Sequence, residues 1–319
     1  MKPYIQTVLG KIDAEAAGIV NYHDHLITIG GGEVRTDKDL ELDSVENAIV
    51  AMKKFRAVGG GTLVDMNPID CGRRIDALVQ ISKETGVHII ACTGFQRAVQ
   101  YEKDDLIYVY PVEEVGELIA KEILEGMPAG NYKGPSIQRR EPKAGVIKIG
   151  TEYNFIAKVE EKMIVAAGIA HKITGAPISS HTERGTMGLE QLDLLEKAGV
   201  NPAQVILGHV DRNPDVWYHK KMAQRGAFLG YDGPSRIKYW PDGVIVNLIK
   251  GMLDAGLGKQ ILLGGDTGRR SYWPEYGGGP GHSYILEKFV PRLREEGVGE
   301  DAIQDILVNN PQRAFLIHK

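Results

Sequence analysis

His23 and His25 lie in Gly18–Leu26 (GIVNYHDHL), at the end of a strand-like apolar run and one residue apart. Side chains alternate along a strand, so both imidazoles leave one face and Asp24 points the other way. Two imidazoles on one face suit a divalent metal, although an H-x-H pair alone is weak support. The same placement recurs downstream, with His181 ending the SSH run, His209 the LGH run and Asp266 the LGGD run. Four of nine histidines therefore fall at strand ends. His88, His171, His219, His282 and His318 fall at a strand start, in helices, in a loop and at the terminus, where a structural role is the simpler reading.

Lys148 sits inside the apolar run Val146-Ile147-Lys148-Ile149. An ammonium pointing into a barrel faces a large desolvation cost, and a buried lysine with a lowered pKa is reactive. If the amine captured carbon dioxide as a carbamate, its two oxygens could bridge two metals. Imidazoles from His23, His25, His181 and His209, a carbamate on Lys148 and the Asp266 carboxylate leave two divalent cations with a modest positive charge, which a bridging hydroxide lowers further. That set predicts a binuclear hydrolytic site, where metals lower the pKa of bound water and polarise the bond under attack.

The elements that must position these residues follow a β-α alternation. Strands are predicted at 18–26, 62–66, 88–92, 144–151, 177–183, 205–210, 227–232 and 261–266. Helical patterns start at Ser44 and run over about 73–84, 111–126, 158–174, 186–198, 213–225, 242–255, 283–296 and 300–316. Eight such units predict an α/β chain folded as a (β/α)8 TIM barrel, one metal-dependent hydrolase domain over 1–319. No G-x-G-x-x-G follows the first strand, which removes the main support for a dinucleotide-binding sheet. Barrel active sites collect at the C-terminal strand ends, where the ligand set lies. The Gly/Pro-rich basic stretch 127–143 leads into a strand and is expected as a solvated loop at the opposite end.

Bulk properties agree with an enzyme of small molecules. At 319 residues, 43% hydrophobic and 25% charged, the chain can bury a large core, and its net charge of -4 disfavours a general nucleic-acid binder. With no apolar run of membrane length and no N-terminal signal pattern, a cytoplasmic location without membrane association is expected. Cys71 and Cys92 are expected as free thiols.

His23-x-His25, Lys148 in AGVIKIGT, His181 in SSHTERG, His209 in LGHVD and Asp266 in LLGGDTG match, in order and spacing, the metal-binding pattern of the phosphotriesterase family of the amidohydrolase superfamily. The resemblance extends to TVLG, TGVHIIACTGF and NNPQRAFL. It implies that His23, His25 and Asp266 hold one metal and His181 and His209 the other. Carboxylated Lys148 and hydroxide would bridge two divalent ions, zinc being expected with manganese or cobalt as alternatives. It implies hydrolysis of phosphotriesters, carboxylate esters or lactones, and a homodimer.

Loop residues narrow the substrate. Family members that open acyl-homoserine lactones carry a tyrosine after strand 3 and an arginine after strand 7, where this chain has Gln96 and Gly233. The last two strands are instead followed by DGPSRIKYWP and DTGRRSYWPEYGGGPGH, which bring Arg236, Lys238, Arg269, Arg270 and Tyr272 to the mouth. Those two loops often form phosphate sites in barrels. The cluster resembles the phospho-furanose lactonase branch, which opens five-carbon 1,4-lactone 5-phosphates. On that resemblance Lys238, Arg269 and Tyr272 are the expected phosphate ligands. Hydroxide attacks the carbonyl, and Asp266 relays the proton to the departing ring oxygen. Another lactonase or carboxylesterase, or a promiscuous phosphotriesterase, is the nearer alternative, and a non-catalytic binding barrel the distant one.

Overall fold

Eight parallel strands form the sheet: β1 (Ile19–Asp24), β2 (Gly60–Asp65), β3 (His88–Gly94), β4 (Val146–Thr151), β5 (Ile178–Thr182), β6 (Val205–Gly208), β7 (Phe228–Tyr231) and β8 (Ile261–Leu263). The structure is a computed structural model that describes residues 2–130, 132 and 137–319. The strands pair in chain order. The ring is brought together where the N–H groups of Gly265 and Asp266 both donate to the His23 carbonyl, at 3.2 and 3.0 Å. The expected (β/α)8 architecture is therefore present, and its closing seam sets Asp266 beside His23.

Each strand is buried on both faces, which is why the strands read as apolar runs rather than alternating ones. Helices α1 (Val45–Ala57), α2 (Ile75–Thr85), α3 (Val112–Leu124), α4 (Lys158–Thr174), α5 (Gly188–Lys197), α6 (Val216–Gln224) and α7 (Asp242–Asp254) follow the first seven strands. Ser44 caps α1 by accepting from the Asn47 N–H. The expected closing helices are interrupted by π-helical turns at Ile285–Phe289 and Asp305–Asn309. Pro291 and Pro311 lie just beyond, and their missing N–H groups break the regular hydrogen-bond ladder there.

Two apolar layers hold the barrel. One lies between strands and helices; the other fills the barrel with Val20, Tyr22, Val64, Ile90, Val146 and Ile206. A hairpin of Ile5–Thr7 and Gly10–Ile12, which the sequence pattern did not reveal, adds Ile5 to the inner layer. Stretch 127–143 begins and ends on the expected side, with Met127 N–H bonded to Pro142 O and Ala144 N–H to Glu122 O. It is not confined there: the Tyr132 N–H donates to Asp70, in the loop after β2 on the mouth side, and its hydroxyl donates to Glu122. Residues 131 and 133–136 of this stretch lie outside the described residues. Cys71 and Cys92 are free thiols. Among the described residues no helix is long and apolar enough to cross a membrane.

Candidate metal centre and its cavity

Four histidine rings meet at the barrel mouth. His23 lies 5.6 Å from His25 and 4.6 Å from His209, and His209 lies 4.4 Å from His181, between ring centroids. His23 is carried by β1 and His181 by β5, and His209 follows β6 in a left-handed backbone conformation, φ 65°. Asp266, after β8, also has positive φ (44°), an unfavourable conformation held where the carboxylate meets the rings. Its Oδ1 stands 3.3 Å from His25 Nε2 and 3.7 Å from His23 Nε2. Asp24 is turned away, accepting from Asn21, the His25 N–H and Thr267.

Partners behind the rings orient them. His25 Nδ1 lies 2.8 Å from Asn67 Oδ1, which leaves Nε2 facing Asp266. His209 Nδ1 lies 2.8 Å from Asp232 Oδ1, and the Tyr22 hydroxyl donates to the other Asp232 oxygen. Tyr22 is fully buried in the barrel, and a Cβ at Gly230 or Gly264 would occupy the volume of its ring. Three sequence choices, two glycines and one tyrosine, thus support one histidine.

Ligand atoms converge in two overlapping groups among the described residues, His23–His25–Asp266 and His23–His209–Asp232. The first fits a divalent cation, because His23 Nε2 and His25 Nε2 both face Asp266 Oδ1, and two imidazole nitrogens with a carboxylate oxygen are a suitable donor set. In the second, Asp232 is already engaged by Tyr22 and His209, so we read it chiefly as the group that orients His209. The expected carboxylated-lysine bridge is corrected by these ligand groups, whose members are histidine and aspartate. Lys148 belongs to neither. It is 1% exposed on β4 and its Nζ has no partner among the described residues, so it is buried as expected but offers no ligand oxygen. An amine that carries a proton repels a cation, and the unmodified side chain cannot bridge two. Burial lowers its pKa. His181 also falls outside both groups, and its Nε2 lies 2.8 Å from Glu183 Oε2.

Burial and charge set the protonation states. Burial drives His23 and His209 well below the ordinary histidine value, aided by Lys148 and Arg212 respectively, and takes His181 to about 3. Those rings are neutral, the form that can donate a lone pair. His25 differs: burial opposes its charge, but the hydrogen bond and charge of Asp266 raise it to about 9. Burial would raise Asp266, yet Arg236 and His25 hold it well below the usual carboxylate range. Its Oδ2 accepts from Arg212 at 2.8 Å and from Arg236.

The cavity over these groups encloses about 180 Å³ and has Leu40 as its sole aliphatic lining side chain among the described residues. Lys238, Arg269 and Tyr272 all line it. Arg236 lines it too but is buried against Asp266, whereas Arg270 turns outward to Asp43 at 2.6 Å. Gln96 faces the cavity. Gly233 cannot accept a side chain without a shift, since its Cβ would collide with Asp211 Oδ2 and approach Ile245 to 2.9 Å. Sequence reasoning missed Asp232, Arg212, Glu183, Arg97 and Glu33. Asp232 carried a usable signal, being the end of a predicted strand like the expected ligands, and Glu183 and Arg212 follow His181 and His209 by two and three residues.

Residues 3–315 match the phosphotriesterase family. A phospho-furanose lactonase from Mycoplasmopsis synoviae is 40% identical over 98% of this chain and 91% of its own length. The crystal structure of a lactonase from Listeria monocytogenes superposes with a TM-score of 0.91 at 36% identity, covering 99% of this chain and 100% of that one. The Escherichia coli phosphotriesterase homology protein, solved with phosphate in its active site, gives 0.86 at 31% identity over 94% of this chain and 99% of that one. The chain belongs to the phosphotriesterase family of the amidohydrolase superfamily, as a metal-dependent hydrolase related to the phospho-furanose lactonases.

Proposed function

We propose that this enzyme opens five-carbon sugar 1,4-lactones carrying a 5-phosphate, with residues 1–319 acting as one hydrolase domain. The observation that carries the reading is the shared cavity. Lys238, Arg269 and Tyr272 line the same polar, sugar-sized space as His23, His25 and Asp266, with almost no aliphatic surface for an acyl chain. Phosphate in the active site of the E. coli relative and the lactonase activity named for the M. synoviae and Listeria proteins support it.

His23, His25 and Asp266 would hold a divalent cation, with His209 and His181 as the neighbouring imidazoles. When bound, such an ion supplies Lewis acidity toward a carbonyl and lowers the pKa of water. Lys238 and Arg269 bind the phosphate through charge-assisted hydrogen bonds, and Tyr272 adds a hydroxyl that fixes its direction. Holding the phosphate remote from the reacting carbon orients the lactone carbonyl for attack. Asp266, kept ionised by Arg212 and Arg236, accepts a proton from the attacking water. It returns the proton to the ring oxygen as the acyl C–O bond breaks, so lactone and water give a hydroxy acid. A proton-release screen of phosphorylated and free aldonolactones tests this. Preference for the 5-phosphates supports the reading, and indifference to the phosphate rules it out.

A further inference from the structure

The loops after β1 and β3 build a second polar wall in the cavity that neither the metal nor the phosphate uses. It consists of Glu33, Gln96 and Arg97. Glu33 lies in a short helical turn, Gly32–Thr36, whose Gly32 packs directly on the Gln100 backbone of the β3 loop. That contact needs glycine, and it seats the Glu33 turn on the loop after β3, which also carries Gln96 and Arg97. Gly150, opposite His181 in the β4–β5 register, likewise leaves space for Gln96 and Arg97. A Cβ there would stand 2.9 Å from Gln96 Oε1 and 3.2 Å from Arg97 Cγ.

Unmet hydrogen-bonding capacity marks this wall. Among the described residues, the Glu33 carboxylate accepts no hydrogen bond, and Gln96 Oε1 and Arg97 Nε are buried without partners. Arg97 is otherwise fixed, donating to Glu152 at 2.9 Å and lying 3.2 Å from Glu183. Buried groups left unpaired carry a desolvation penalty unless a ligand completes them, which makes such walls selective. A carboxylate flanked by an amide and a guanidinium along the cavity matches neighbouring hydroxyls, each of which can donate and accept.

We propose that Glu33, with Gln96 and Arg97, binds the ring hydroxyls of the substrate and decides which sugar lactone is opened. The proposal rests on the lactonase reading above. Phosphate is held from the loops after β7 and β8, the carbonyl lies at the histidine cluster, and the C2 and C3 hydroxyls face the loops after β1 and β3. Three anchors of different chemistry leave a chiral ring one productive orientation.

The test measures kcat/KM for the metal-loaded wild type, Glu33→Gln and Glu33→Ala. Substrates are aldono-1,4-lactones and their 2-deoxy and 3-deoxy counterparts, each with and without the 5-phosphate. Loss of a hydrogen bond to a charged group should lower the ratio of hydroxylated to deoxy turnover roughly 10- to 100-fold for at least one deoxy position. An unchanged ratio overturns the proposal, whether or not both activities fall, and melting temperatures identify a folding defect. Comparing phosphorylated with free lactones in the wild type judges the lactonase reading separately. If phosphate is irrelevant but the hydroxyl ratio collapses, the phosphate half fails and Glu33 stands. A wild type inert on every lactone overturns both.

Discussion

Replacing Arg269 by Met removes the guanidinium while keeping a side chain of similar reach. Arg269 is well placed for a phosphate because its Nη1 is anchored by Asp37 at 2.5 Å and Asp39 at 3.4 Å. Asp39 is in turn fixed by the Ser271 N–H and hydroxyl at 2.9 and 2.6 Å. Arg269 lines the cavity. A hydrogen bond between ionised groups is worth roughly 1.5–3 kcal/mol, or about 10- to 150-fold in kcat/KM. The side chain is 28% exposed, so solvent screening places the expected loss toward the lower end. The assay compares kcat/KM for a five-carbon lactone 5-phosphate and its free lactone in R269M and wild type. The loss should fall on the phosphorylated substrate, with the free lactone changed by a few-fold at most. Equal loss on both would refute the phosphate clamp and make Arg269 a residue that supports the loops.

If Asp266 moves the proton as proposed, Asp266→Asn should cut kcat roughly 10²- to 10⁴-fold with KM within a few-fold; near-normal turnover would remove that role. Gly230→Ala should destabilise the fold by about 1–3 kcal/mol, since its Cβ would overlap the buried Tyr22 ring, and thermal melting unchanged from wild type would contradict the packing account. His219 accepts from the Tyr231 hydroxyl at 2.7 Å and donates to the Val210 and Asn213 carbonyls, and burial lowers its pKa to about 4 despite those backbone bonds. The unfolded chain takes up that proton near pH 6.5, so the contribution is complete above 6.5 and is lost as pH falls toward 4, by at most about 3 kcal/mol. His219→Gln should flatten the decline of the denaturation midpoint over that interval, whereas parallel curves would show that His219 does not control it.

The barrel was legible because parallel strands covered on both faces must be apolar throughout, so each run and its C-terminal end stand out. Residues 158–174 show the same for a helix, with identical expected and observed bounds. The Ile5–Ile12 hairpin was not legible, because three-residue strands are too short to display a period. Position within a run correctly indicated that Lys148 is buried, but burial does not specify a ligand, and the converging groups are histidine and aspartate. Arg236 and Arg270 differ for a similar reason. Both follow strand ends, yet Asp266 draws one inward and Asp43 draws the other outward, partners distant in the chain. Asp232 acts through His209, a pairing visible only once β6 and β7 are adjacent.

Metal dependence of lactone opening is the most direct test. Protein stripped with a chelator and then titrated with zinc should be followed by bound metal per chain and by proton release from a five-carbon 1,4-lactone 5-phosphate. The account predicts that the stripped protein is inert and that activity returns in proportion to the metal taken up, with His23→Ala reducing both. Full activity in the stripped protein, or metal uptake with no lactone opened, would contradict it.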